Sequence, residues 1–169
     1  MEVIEKTNKK NLLIPISSVQ KGIEYCKVNV RGYLDDAKAL LTKRRIGHAY
    51  VSVQFAIEEL GKALLLKKRR AEAWKAGKWE ISIEVGKEWK SHNCKAKEAW
   101  TLLDPANKIL HKRIPRLEIK DTEASPWTRP MCSYVEFNES SQTWQLGPAV
   151  DVPKLESLIK NIEEVISKV

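Results

Sequence analysis

Along most of the chain, apolar residues recur at steps of three and four. Val19, Ile23, Cys26, Val30, Leu34, Ala37 and Leu41 form one such stripe. That spacing predicts an amphipathic helix with one buried face. Ser17 and Ser18 follow Pro15 and suit its N-cap, while Gly22 and Gly32 weaken it by about 1 kcal/mol each against alanine. Thr42 to Gly47, with Lys43, Arg44 and Arg45, reads as a short turn. In the next segment three heptad-spaced series overlap: Ile46, Val53 and Leu60; Ala49, Ala56 and Ala63; Tyr50, Ile57 and Leu64. Phe55 and Leu66 add a second apolar side, which predicts a helix in the middle of a bundle, ending near Gly77.

The pattern then loosens. Trp79 to Ile83 fits neither the helical nor the strand period clearly. A third helix is expected from about Glu84 to Leu103, on the stripe Val85, Trp89, His92, Ala96, Ala99, Trp100 and Leu103. Asp104-Pro105 ends it or opens a short helix reaching His111. Pro115, Pro126 and Pro130 mark an irregular connection. Residues 134–137 and 143–146 alternate in polarity and read as a small β-hairpin. The last helix is expected over Val152 to Lys168, with Asp151 as N-cap and Pro153 in the first turn. The expected fold is therefore mainly α. It is an antiparallel bundle of four to five helices with a small β-hairpin before the last one. A single domain over 1–169 is expected, with the connection and hairpin at about 114–150.

Composition supports a packed core: 43% of the 169 residues are hydrophobic and 31% charged, a globular balance. No apolar run approaches the roughly 20 residues that span a bilayer, so no membrane association and a cytoplasmic location are expected. Three cysteines, Cys26, Cys94 and Cys132, form no CxxC pair; a metal cluster or disulfide framework is not expected. The net charge is +8, and it is uneven. Residues 1–116 carry 25 basic and 13 acidic side chains, the remainder 5 and 9. The helical part thus carries a positive field suited to a polyanion or an acidic partner, although solubility alone also accounts for such a charge.

Phe55-Ala56-Ile57-Glu58-Glu59-Leu60-Gly61-Lys62 is the informative stretch. Two carboxylates and a lysine interrupt an apolar helix, at spacings that make Glu58 and Glu59 neighbours of Lys62. The helical wheel puts Glu59 beside the apolar stripe and Glu58 furthest from it, so Glu59 is the carboxylate expected to be buried. Gly61 allows another backbone to approach. His92 and Lys95 lie one turn apart on the expected third helix. A Glu–His–Lys cluster across two helices suits acid–base chemistry, because a carboxylate tunes an imidazole near neutral pH. Equally, such a network ties helices in register and does nothing else. Lys67, Lys68, Arg69 and Arg70 could contact phosphates or form a solvated helix end. The six tryptophans could stack on bases beside lysines or fill the core. His48 and His111 read as solvated. Walker, GxGxxG, GxSxG and HExxH motifs are lacking, and no cofactor is expected.

The run Gly22, Asn29, Leu34, Asp36, Ala37, Leu40, His48-Ala49 and Ala56-x-Glu58-Glu59-x-Gly61-Lys62 resembles AbiV-type abortive infection proteins of the HEPN superfamily. So do His92-x-x-Lys95 and the segment Tyr134 to Phe137 with its following Pro148. The resemblance covers about residues 18–168. It implies a HEPN-like bundle and a role in prokaryotic defence against phage, with RNA or the translation machinery as target. A phage or host protein would be the trigger and a homodimer the working form. Many HEPN proteins are metal-independent ribonucleases whose signature is an arginine, four to six residues, then a histidine. This chain departs from it: Arg44 and Arg45 lie too close to His48, and Lys87 stands where an arginine would precede His92. In the enzymatic form, His92 is the acid or base, Glu59 orients it, Glu58 completes the acidic pair, and Lys62 and Lys95 stabilise phosphate charge. The other classes are a noncatalytic module binding RNA or protein, with the cluster structural, and a dimerisation scaffold.

Overall fold

The computed structural model describes residues 11–89, 92–103, 135–138, 143–146 and 151–169. Among the described residues there are four α-helices: α1 Ile16–Thr42, α2 Ile46–Lys75, α3 His92–Leu103 and α4 Val152–Lys168. Strands β1 Asn11–Pro15 and β2 Glu80–Glu84 form one antiparallel pair, and β3 Val135–Asn138 and β4 Thr143–Leu146 a second.

The stripe on α1 is its buried face: Val19, Ile23, Cys26, Val30, Leu34 and Ala37 are all buried. In α1 and α2, rising numbers in one helix meet falling numbers in the other. Gly22 lies against Leu66, and Asn29 Nδ2 donates to Glu59 Oε2 at 3.1 Å, so the two helices are antiparallel. Both end in the same hydrogen-bonded turn. Arg44 N donates to Leu41 O and Arg45 N to Leu40 O, each at 2.8 Å. At the end of α2, Gly77 N donates to Trp74 O at 3.1 Å and Lys78 N to Ala73 O at 3.0 Å. This pattern needs a left-handed residue, supplied by Gly77 (φ 63°) and, less comfortably, by Arg44 (φ 55°). The start of α1 differs from expectation: Pro15 is the N-cap, no side chain caps it, and Ser18 Oγ instead donates to the Pro15 carbonyl at 2.9 Å.

α2 is central, packing against α1, α3 and α4. One core cluster joins the second half of α1, the first half of α2, α3 and α4; fully buried members include Leu34, Ile57, Leu60, Leu155, Leu158 and Ile162. A second joins the start of α1 to the end of α2 and to β2, through Val19, Ile23, Ala63, Leu66, Ile81 and Ile83. In α4 the expected cap is in place, with Lys154 N donating to Asp151 Oδ1 at 3.2 Å.

The expected third helix is a correction. Its first third is not α-helical: Glu84 ends β2, and Val85–Trp89 form a π-helical turn. Ile81 and Ile83 alternate with exposed Ser82, which is strand periodicity. Its partner is β1, with Leu12 opposite Ile83 and Ile14 opposite Ile81. A small sheet therefore lies near the N-terminus, where the expected position was only before the last helix. The possible short helix over 104–111 and most of the connection at about 114–150 lie outside the described residues.

Candidate polar site at the helix seam

Gly61 is where α3 meets α2. A Cβ built there would fall 1.7 Å from the Lys95 carbonyl oxygen and 2.9 Å from Lys95 Cα. Only a residue without a side chain permits that approach. The contact carries Lys95 into the interior, where it is 5% exposed. Its Nζ lies 3.5 Å from Glu58 Oε2, and Glu58 is itself only 6% exposed. The ranking of the two carboxylates is thus reversed from the wheel: Glu58 is the deeper one. Burial pushes the Lys95 ammonium below its usual pKa, the Lys62 charge adds to this, and Glu59 opposes it.

Glu59 and Lys62 form a second pair beside the first, in direct salt-bridge contact and half-buried. Lys62 also lies over the Trp89 ring, 5.8 Å from its centroid, a cation–π distance. From the other side, α1 contributes Asn29, which donates to Glu59, and the buried thiol of Cys26. Burial pushes that thiol up to about 11; the Glu59 charge adds to the effect and the Lys62 charge opposes it. Asn29 and Cys26 were not singled out as site residues in the sequence. Cys26 reads there as an apolar position in the α1 stripe and as one of three cysteines that form no CxxC pair.

Of the sequence-predicted residues, Glu58, Glu59, Lys62 and Lys95 come together. His92 opens α3, one turn before Lys95, and its side chain lies outside the described residues. His48 is exposed near the start of α2; His111 lies outside the described residues. Each residue of the basic stretch has a partner within the fold. Lys67 Nζ donates to the Lys168 carbonyl at 3.3 Å, and Lys68 lies 3.2 Å from Glu98. Arg69 pairs with Glu72 at 2.9 Å and directly with Glu88, while Arg70 donates to Gln20. Glu88 in turn accepts from the Glu84 backbone N–H at 2.8 Å, which anchors the π turn. The stretch therefore ties the end of α2 to α1, α3, α4 and the turn.

Among the described residues no group of three or more His, Cys, Asp or Glu is arranged to hold a metal ion, and no helix is long and apolar enough to cross a membrane. The chemistry available at the seam is that of two ion pairs in a low-dielectric contact, one sealed and one reached by solvent.

No curated protein and no solved structure matches the chain. The family model HEPN_AbiV, described as AbiV, matches residues 18–164. That span includes nearly all of α1, the whole of α2 and α3, and most of α4, with both ion pairs and Gly61 inside it, and the chain belongs to the AbiV family of HEPN proteins.

Proposed function

We propose that the protein is an abortive-infection effector that acts on RNA or on the translation machinery, with His92 as its acid–base group and the seam as its support. The observation that carries this reading is the Gly61–Lys95 contact with its two ion pairs. The Gly61–Lys95 contact and the Glu58–Lys95 pair fix the first turn of α3, the turn that begins with His92, against the central helix, while Glu59–Lys62 lies beside them on that helix itself. A catalytic group needs such fixing by neighbours that do not themselves react. In this scheme Glu58 and Lys95 are positioning residues because both are buried. Glu59 and Lys62 are reached by solvent, and Lys62 is the cation available to a phosphate. A homodimer is the working unit, to be measured by sedimentation.

The test is incubation of purified protein with RNA, with and without a chelator. Expected are chelator-independent cleavage by the wild type and a loss of about 100-fold or more in His92→Ala, within the usual scale of general acid–base catalysis. Absence of cleavage on every RNA tried, or full activity in His92→Ala, removes the enzymatic form.

One observation favours a second reading. The deeper ion pair is sealed from solvent, which suits a purely structural tie in a noncatalytic binding module. Under that reading Lys95→Met lowers the melting temperature while binding to RNA or a protein partner persists at full affinity per folded molecule.

A further inference from the structure

The end of α2 leaves two large indoles in water. Trp74 is 76% exposed and Trp79 is 89% exposed, although a tryptophan is normally among the best-buried side chains by area. They stand on either side of a turn in the sequence Trp74-Lys75-Ala76-Gly77-Lys78-Trp79, aromatic and cation on each flank. The turn is rigidly built. Gly77 N bonds Trp74 O and Lys78 N bonds Ala73 O, while the Trp79 carbonyl accepts from Ile16 N at 3.0 Å. The backbone under both rings is therefore fixed while the rings project outward. Lys75 and Lys78 are exposed, and neither has an ion pair among the described residues. Beneath Trp79 a cleft of about 870 Å³ opens between the end of α2 and the β1–β2 pair, lined by Leu13, Ala73, Ala76 and Ile81. Of the carboxylates at its rim, Glu72 is held by Arg69, which leaves Glu80 as the opposing charge.

We propose that this turn is a binding site for single-stranded RNA, in which bases stack on Trp74 and Trp79 and Lys75 and Lys78 meet the phosphates between them. Stacking on aromatic rings beside cations is how single strands are held without sequence preference. A duplex does not offer its base faces, so the site selects unpaired RNA. The basic excess of residues 67–80 complements a phosphate chain. The proposal rests on the reading that the protein acts on RNA, and it names where that RNA is gripped, away from the Glu–Lys seam.

The test uses the full chain with a labelled oligouridylate 12-mer, the same length of duplex RNA, and anionic vesicles. Binding is read by anisotropy and by quenching of tryptophan fluorescence, and cleavage is followed in the same samples. Expected are single-strand binding accompanied by quenching, weaker duplex binding, and a loss of affinity of at least about fivefold for each of Trp74→Ala and Trp79→Ala. Trp79→Phe should retain most of the affinity, and Lys75→Glu with Lys78→Glu should weaken it and flatten its salt dependence. Circular dichroism on each variant controls for folding; the substituted side chains are all exposed. Cleavage by a wild type whose alanine variants bind unchanged overturns this site and leaves the functional proposal standing. Stacking-dependent binding without cleavage supports the site and removes the ribonuclease. Vesicle binding with no RNA binding, or equal affinity for duplex and single strand, overturns the site.

Discussion

A methyl group at position 61 has nowhere to go, because the Lys95 backbone already occupies its place. Gly61→Ala must push α3 from α2 or bend one of them, and overpacking of this kind costs about 3 kcal/mol or more. A large fall in melting temperature with far-UV circular dichroism retained below the transition is expected; an unchanged midpoint would show that the helices do not meet there. Arg44 is the reverse case. It sits at φ 55° where an L-residue is strained, so Arg44→Gly should raise stability by about 0.5 to 1 kcal/mol, since glycine relieves αL strain but loses more chain entropy on folding. Denaturant midpoints at constant m-value measure it. Cys26 gives a pH dependence. Its folded pKa, pushed from 9.0 to about 11 by burial, then Glu59, against Lys62, lies above the unfolded value. The folded state then holds the proton longer, and the contribution is complete below pH 9.0 and is lost as pH rises through about 11. The loss across that window is on the order of 2 kcal/mol, and Cys26→Ala should abolish that part of the alkaline destabilisation.

Between elements, the Glu58–Lys95 pair is the joint to probe. Lys95→Met removes the ammonium that faces a buried carboxylate, and breaking one side of such a pair costs about 3 to 5 kcal/mol. Adding Glu58→Leu should restore much of the loss, because the apolar double replacement leaves no buried charge. Additive losses in the double-mutant cycle would show that the two groups do not interact. The identity of this pair also shows where local pattern stops being informative. α1, α2 and α4 were legible because each has a continuous apolar stripe, and Asp151 with Pro153 marked the start of α4. Glu58 was misplaced because a wheel ranks faces against one stripe, whereas α2 is covered on several sides and α3 seals the side the wheel left open. Val85 and Trp89 fell on the helical register of α3 by coincidence. What makes 80–84 a strand is β1, nearly 70 residues earlier in the chain, and pairing at that range leaves no local trace beyond the brief alternation at Ile81 and Ile83. The convergence of Glu58, Glu59, Lys62 and Lys95 was legible as composition on two helices. The participation of Cys26 and Asn29 depended on the α1–α2 register, which spacing within one helix cannot set.

At the scale of the whole molecule, the two core clusters share their walls. α1 and α2 run about 40 and 45 Å at 1.5 Å per residue, long enough for each to pass from one cluster into the other. On α2, Ile57 and Leu60 belong to the first cluster, while Ala63 and Leu66, within two turns, belong to the second. The polar seam at 58–62 lies at that boundary. Neither cluster can melt without fraying a helix that the other needs, so the described helices should unfold as one cooperative unit. Ile162→Ala empties a fully buried position in the first cluster, and Ile83→Ala does so in the second. Each should cost about 2 to 5 kcal/mol, the range for buried isoleucine truncation, and each should move the same denaturant transition whether it is followed by circular dichroism or by a label placed in either cluster. If Ile83→Ala instead split off an early transition that left the far cluster intact, β1, β2 and the ends of α1 and α2 would be a separately melting cap. The tryptophan turn, which hangs from that cap through the Ile16–Trp79 hydrogen bond, would then lose its fixed backbone at lower denaturant than the Gly61–Lys95 seam.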